Sequence, residues 1–214
     1  LFREPAAAGG VRRVVAAAND GTLTVWDSIT GHLKHRVETP ADSCVDWSPD
    51  GRAIAFSTRR GEDEVNQIYV LNMEGPGEAV RITDIATGAA TPRWSPDGSR
   101  IAFESKVYPG AADNEANAAE KKAREERKIN VSAYEMFPIR QWDRWRDDLQ
   151  THLFVQTAEP GADARNLMLD SDLVAAPGFG GVESLSSDSL EAVWTPRGDA
   201  LVISATTNLD DAAH

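Results

Sequence analysis

The run Phe137-Pro138-Ile139-Arg140-Gln141-Trp142-Asp143-Arg144-Trp145 gathers two of the chain's six tryptophans with two arginines and an aspartate. Arginine stays charged at any physiological pH, and its planar fork matches carbonyl and carboxylate oxygens while stacking on aromatic rings. Two uses fit such a cluster: an interface between domains, where aromatics and arginine are enriched, or the wall of a substrate cavity. The interface reading is preferred for the stretch as a whole. In the cavity reading, Arg140 and Trp142 are the residues that would touch a substrate.

The remaining reactive side chains do not form a second cluster. His32, His35, His152 and His214 are scattered, with neither HExxH nor CxxC spacing to hold zinc. His152, at the edge of a predicted strand, reads as a satisfied or solvated histidine. The segment GGVESL at 180–185 lacks the closing glycine of a nucleophile elbow and lies in a predicted loop. Glu62-Asp63-Glu64 lacks the spacing and internal glycine of a calcium loop, so it reads as a solvated hairpin loop. Asp27 and Asp46 read as solvated strand ends. Cys44 is the sole cysteine, which excludes an intrachain disulfide, and its apolar strand-like setting predicts a buried structural thiol.

What must position these residues is a repeat. WSPDG occurs at 47–51 and 94–98, and WTPRG at 194–198. Proline pre-set at the second turn position and glycine free to take positive φ make each phrase a tight turn between strands. Around the first copy, alternating apolar residues predict four short strands, SCVDW, AIAFSTR, QIYVLNM and AVRITD. The second copy keeps the order: Trp94 and Phe103 follow Trp47 and Phe56 by 47 residues. Its third and fourth strands follow by 85, with Leu153 on Ile68, Val155 on Val70 and Leu167 on Ile82, so about 38 extra residues interrupt this unit. Upstream, VRRVVAAAN, TLTVWDS and LKHRVE supply the last three strands of an earlier unit, and EAVWTPRGDALVISATT opens a later one.

A four-stranded antiparallel unit of this size cannot bury both faces alone, whereas radial stacking of such units makes a β-propeller. The expected fold is therefore all-β, a fragment of a propeller with about three four-stranded antiparallel blades and one helical insertion. The blade remnants fall at 11–38, 43–84, 90–170 and 191–207, with the insertion at 108–150. Trp47 and Trp94 are expected to pack between blades. Propellers close with 4 to 8 blades, so the sequence reads as part of a longer polypeptide.

Within the insertion, Asp113 or Asn114 can cap a helix running to about Lys128. Its i,i+4 pairs Glu120–Arg124, Lys121–Glu125 and Lys122–Glu126 predict a solvated, self-supporting surface helix. Composition supplies 41% hydrophobic residues, enough for a core, and a net charge of −12, which repels phosphate backbones and anionic membranes alike. No apolar run is long enough to span a bilayer as a helix. Compartment stays open.

The phrase WSPDG-x-x-IAF resembles the repeats of TolB-like propellers and of the propeller domain in the prolyl oligopeptidase family of serine peptidases. The insert at 108–155, APGFGG at 176–181 and VWTPRGDALVISATTN are similar to the acylaminoacyl-peptidase and dipeptidyl-aminopeptidase branch of that family. The resemblance covers most of the chain and is specific over 100–208. It implies a propeller that caps a C-terminal α/β-hydrolase domain bearing a Ser-Asp-His triad, gates substrate access and helps position a peptide terminus. No nucleophile or triad lies in these residues, so the chain alone is not expected to hydrolyse peptides.

The same resemblance implies that Glu125 and Glu126, an adjacent acidic pair similar in character to the double Glu of dipeptidyl peptidases, hold a free amine. A peptide bound through the hydrolase domain is the expected partner, with no nucleic acid, membrane, metal or cofactor; a homo-oligomer of the parent stays open. Two alternatives remain open: a TolB-like propeller that serves only as a protein-interaction module, and a propeller that binds a carbohydrate or metabolite.

Overall fold

A computed structural model describes residues 2–3, 13–18, 22–27, 29–38, 44–75, 77–126, 140–141, 144–145, 149–175, 179 and 189–205. Three four-stranded antiparallel sheets follow one another along the chain. The first contains β1 (Phe2–Arg3), β2 (Arg13–Ala18), β3 (Thr22–Asp27) and β4 (Leu33–Glu38) in sequence order. The second contains β5 (Val45–Trp47), β6 (Ala53–Thr58), β7 (Gln67–Asn72) and β8 (Val80–Arg81), again in order.

The third sheet begins with β9 (Ala90–Trp94) and β10 (Arg100–Val107), and the helix α1 (Asn114–Glu126) follows β10. A short pair, β11 (Arg140–Gln141) and β12 (Arg144–Trp145), comes before β13 (Gln150–Thr157) and β14 (Arg165–Asn166) close the sheet. Last, β15 (Val193–Trp194) pairs with β16 (Leu201–Val202). The first sheet thus has a fourth strand that the sequence did not announce, because two residues are too few to show alternation.

The repeat is reproduced bond by bond. Phe56 stands opposite Tyr69 in the second sheet, and Phe103 opposite Phe154 in the third. Val70 faces Val80 just as Val155 faces Arg165. Even the last bond of the fourth strand recurs, from Ile82 N–H to Ile68 O at 2.8 Å and from Leu167 N–H to Leu153 O at 2.9 Å. Their burial differs: Ile82 is buried, whereas Leu167 is exposed and Met168 enters the core in its place.

Alternation along each middle strand sends successive side chains to opposite faces, so the second and third sheets each join two cores. Ile54 and Phe56 pack with Leu23 and Val25 of β3 and with Trp47. Ala55 and Ile68, on the other face, pack with Ile101, Phe103, Phe154 and Trp94 of the third sheet. Ala102 and Leu153 then face Leu190, Ala192, Trp194 and Leu201. Ile54, Phe56, Ile68, Ile101 and Phe103 are fully buried, at about 1.5–3 kcal/mol each, so apolar contact between sheets is the main cohesive term. Sheets stacked face to face through such interfaces form a partial β-propeller, with Trp47 and Trp94 at the seams.

Each turn phrase has internal wiring. Ser48 Oγ donates to Asp50 Oδ1 at 2.6 Å and accepts from Ala53 N–H at 2.9 Å, while Arg52 N–H donates to Asp50 Oδ1 at 3.0 Å. Ser95, Asp97, Ser99 and Arg100 repeat this set. In WTPRG the aspartate has become Arg197, yet Thr195 Oγ1 donates to Asp199 at 2.7 Å. A carboxylate two residues further on restores the hydroxyl's partner, which explains how the phrase tolerates arginine.

Candidate functional site

The insertion leaves the third sheet at the end of β10, and α1 is its described beginning. The Asp113 carboxylate accepts from Ala116 N–H at 2.7 Å and so caps the helix, one residue before its first helical position. Asn114 plays a different part, since its amide oxygen accepts from Ala86 N–H at 3.0 Å and its amide nitrogen donates to Asp84 O at 2.9 Å. The helix start is thereby pinned to the segment after β8, in the preceding sheet.

One turn on, Asn117 is buried, with 2% of its surface exposed. Its Oδ1 accepts from Tyr108 N–H at 2.9 Å, and its Nδ2 donates to Lys106 O at 3.1 Å and to Thr87 Oγ1 at 2.9 Å. A side-chain amide that pairs with residues two apart on a strand edge acts as one more peptide unit of the ladder. Ser105 Oγ completes the seat by donating to Gly88 O at 2.6 Å. Other residues of α1 reach further: Lys121 Nζ donates to Ala86 O at 3.2 Å and lies 3.7 Å from Glu64. Arg124 sits over the Tyr108 ring at 4.5 Å and bonds Glu120 at 2.7 Å.

The expected pairs Glu120–Arg124 and Lys122–Glu126 are present, the latter at 3.9 Å. Lys121, expected to meet Glu125, turns instead to Glu64 and to the Ala86 carbonyl in the segment after β8. The helix is solvated along most of its length and keeps two of its three expected pairs, but it is also bolted across the seam between two blades. The reason is polar: asparagines at 114 and 117 fall on one face, and buried amides are held where backbone groups need partners. Asparagine is a weak helix former, a signal that these positions serve something other than helix propensity.

The residues expected to contact substrate are placed as follows. Glu125 and Glu126 lie in the last turn of α1 and are both exposed, so α1 and its described neighbours supply no dry pocket around them. Arg140 is described in its backbone alone, opposite Trp145 in the β11–β12 pair. Trp142 lies outside the described residues.

Other expectations fare differently, and Cys44, expected to be buried, is half-buried. Asp46 is not a solvated strand end: its Oδ2 accepts from Trp94 N–H at 2.8 Å and ties the second sheet to the third. In the 62–64 loop Glu62 and Glu64 are exposed as expected, but Asp63 turns inward: its side chain is 5% exposed, accepts from the Tyr69 hydroxyl at 2.6 Å and faces Arg81 at 3.1 Å. Burial first, and then the Asp63 carboxylate, push the Tyr69 hydroxyl up to about 12. His152, read as a satisfied or solvated histidine, is the satisfied kind: it is buried within β13, with Nδ1 accepting from Asn166 at 2.9 Å. This bond puts the imidazole proton on Nε2, which lies 3.4 Å from Gln150 Oε1. Burial holds His152 below its ordinary value.

At the head of the inner strands, Thr91 and Glu191 occupy equivalent places and both take positive φ, 48° and 46°. The backbone beside them is gripped by the preceding sheet: Ser57 Oγ donates to Ala89 O at 2.7 Å, and Glu104 Oε1 accepts from Ser189 Oγ and Leu190 N–H, each at 2.9 Å. Strain of about 1–3 kcal/mol at such residues persists only where neighbours hold it in place. Nothing in the composition of Thr91 or Glu191 foretold it.

Repeating four-stranded blades are the feature on which the likenesses to known proteins bear. The chain is similar to an uncharacterized peptidase, YuxL, of Bacillus subtilis, with 36% identity over 88 residues. That match takes in 41% of this chain and 13% of the relative. A second likeness, 36% over 63 residues, is to the guanine nucleotide-binding protein subunit beta of Nicotiana tabacum, covering 28% of this chain and 16% of that protein. The matched stretches therefore span well under a quarter of either relative's length.

Among solved structures, the acylaminoacyl peptidase of Pyrococcus horikoshii matches over 77% of this chain and 24% of its own, at 14% identity and a TM-score of 0.46. The hydrazine synthase of Kuenenia stuttgartiensis matches over 89% and 46%, at 12% identity and a TM-score of 0.49. No model of a known protein family matches the chain. The resemblance to peptidase propellers read from the turn phrases is met by a relative that is itself called a peptidase.

Proposed function

We propose that this chain is the non-catalytic propeller portion of a serine exopeptidase of the acylaminoacyl-peptidase or dipeptidyl-peptidase type. The observation that carries the reading is the 36% identity to a peptidase, in a chain built of propeller blades. In this reading the blades stand over a hydrolase domain, where a serine attacks the scissile carbonyl with histidine as base. The propeller admits short or unfolded peptides and turns away folded ones, and the insertion rooted in α1 reaches toward the peptide terminus. Arg140 and Trp142 contribute to the cavity wall, and Glu125 and Glu126 hold the amine once a partner surface encloses them.

The test uses the native-length gene product. A fluorophosphonate probe should label it at one serine, and it should cleave short amino-terminal arylamide substrates while leaving folded proteins intact. Absence of labelling and of cleavage would overturn the peptidase reading. Arg140→Ala should raise KM for short peptides with kcat little changed; unaltered kinetics in a stable variant would remove Arg140 from the site.

The similarity to a G-protein beta subunit favours a second reading, a propeller that serves only as a protein-interaction platform. Loss of the serine-labelling result together with retained monodisperse folding would favour it.

A further inference from the structure

Two of the turn phrases join aspartate to glycine, Asp50-Gly51 and Asp97-Gly98, whereas the third joins Arg197 to Gly198. Glycine has no side chain to hinder its nitrogen, so an aspartyl-glycyl bond is open to isomerisation. The glycine nitrogen attacks the aspartyl Cγ and loses its proton, and the carboxyl oxygen, once protonated, leaves as water. Water then opens the succinimide ring at the backbone carbonyl, and the product is isoaspartate, with one extra methylene in the main chain. Asp50 and Asp97 are both exposed, so water reaches them. The two sites are a matched pair. Gly51 N–H donates to Ser48 O and Gly98 N–H to Ser95 O, each at 2.9 Å, with glycine φ values of 69° and 73°. In each turn the aspartate Oδ1 accepts from the serine hydroxyl, at 2.6 Å and 2.5 Å, and from the N–H two residues on, at 3.0 Å. They differ at the second carboxylate oxygen. Asp97 Oδ2 accepts from Ser99 Oγ at 2.8 Å. The residue at the place of Ser99 in the first copy is Arg52, whose side chain lies 3.2 Å from Glu74, and Asp50 Oδ2 has no hydrogen-bond partner among the described residues.

We propose that the Asp50-Gly51 bond is a site of spontaneous isoaspartate formation in the folded protein, and that the Ser99 hydroxyl shields Asp97-Gly98 from the same reaction. Ring closure requires the glycine N–H to leave the serine carbonyl, the carboxyl to turn its face toward that nitrogen, and one carboxyl oxygen to take up a proton. The first requirement is equal at the two turns. The other two are not: Asp50 turns about a single anchored oxygen and has the second open to a proton, whereas Asp97 is held at both oxygens. An added methylene at residue 50 would lengthen the turn that joins β5 to β6, next to Trp47 in the core shared by the first two sheets.

Ageing the native-length gene product at neutral pH and body temperature tests this, with isoaspartate at each turn read by peptide mapping and by labelling with an isoaspartyl methyltransferase. Each rate is divided by that of the same bond in the urea-unfolded chain, which removes the effect of local sequence. The normalised rate at Asp50-Gly51 should exceed that at Asp97-Gly98 by roughly threefold to tenfold, the factor that one net hydrogen bond supplies. Ser99→Ala should bring Asp97-Gly98 up to the rate of Asp50-Gly51, and Arg52→Ser should slow Asp50-Gly51. Both substituted positions are exposed, and loss of the exposed Arg52–Glu74 pair costs the fold little. Ser99→Thr, which keeps a hydroxyl, should age like the unaltered protein. Equal normalised rates at the two turns would overturn the proposal. So would an unchanged rate at Asp97-Gly98 in Ser99→Ala, or a rise in Ser99→Thr as large as that in Ser99→Ala.

Discussion

Pro96 Cδ lies 3.1 Å from the point where a Cβ on Gly198 would stand, and Pro49 Cδ lies 3.6 Å from the corresponding point on Gly98. Each turn phrase is therefore stacked on the next: the proline of one blade abuts the glycine of the blade that follows. The repeated five residues do more than close hairpins, because they also set the spacing of neighbouring blades.

Glycine is needed twice over at position 198. Its φ of 70° is costly for a residue with a Cβ, about 1–2 kcal/mol, and the added atom would press on Pro96. Gly98→Ala, with φ 73° and ordinary contact to Pro49, should incur the first cost only. Thermal melts should therefore place Gly198→Ala below Gly98→Ala, and equal losses would remove the stacking contribution.

Acid should loosen the turns in a defined window. The Ser95 hydroxyl, then the Ser99 N–H and hydroxyl, hold the Asp97 carboxyl at about 2, below its ordinary 3.8. Asp50 is lowered for the same reasons by Ser48 and the Arg52 N–H. A carboxylate with a depressed folded value contributes stability above its unfolded value and loses it as pH falls toward the folded one. Melting temperature should drop between about pH 4 and pH 2, and Asp97→Asn should flatten part of that slope. An unchanged slope in Asp97→Asn would show that the turn carboxylate is not the titrating group.

His152 should give a second dependence at higher pH. Burial lowers its value from 6.5, so between the folded and unfolded values the unfolded chain binds more protons. Stability is then greatest above 6.5 and declines as pH falls below it. Protonation would also set an Nδ1–H against the Asn166 amide that now donates to it. His152→Gln should reduce the decline, as measured by denaturant midpoints on either side of pH 6.5.

The helix seat is tested at Asn117. Leucine there removes the partners given to Tyr108 N–H, Lys106 O and Thr87, at roughly 1–3 kcal/mol for a buried group left unsatisfied. Asn117→Leu should lower the melting temperature by several degrees and speed hydrogen exchange in residues 84–89 as well as in α1. Faster exchange confined to α1 would show that the helix does not brace the second sheet.

What could be read from the sequence is the local and repetitive part of this protein. Trp47 and Trp94, the Pro-Asp-Gly turns and the alternating Ile54-Ala55-Phe56 fix strands, register and the stacking of sheets, because strand period and turn chemistry are properties of neighbouring residues. The helix at Asn114–Glu126 and its cap at Asp113 follow by the same logic. Tertiary structure decided which polar side chains cross between blades. Asp46, Glu104, Asn114, Asn117 and Lys121 each find their partners in a neighbouring sheet or in the segment that joins two sheets. No local pattern encodes a partner that sequence separation hides. An aspartate that would be solvated on a lone strand becomes a tie only when the next blade brings the Trp94 N–H within 2.8 Å.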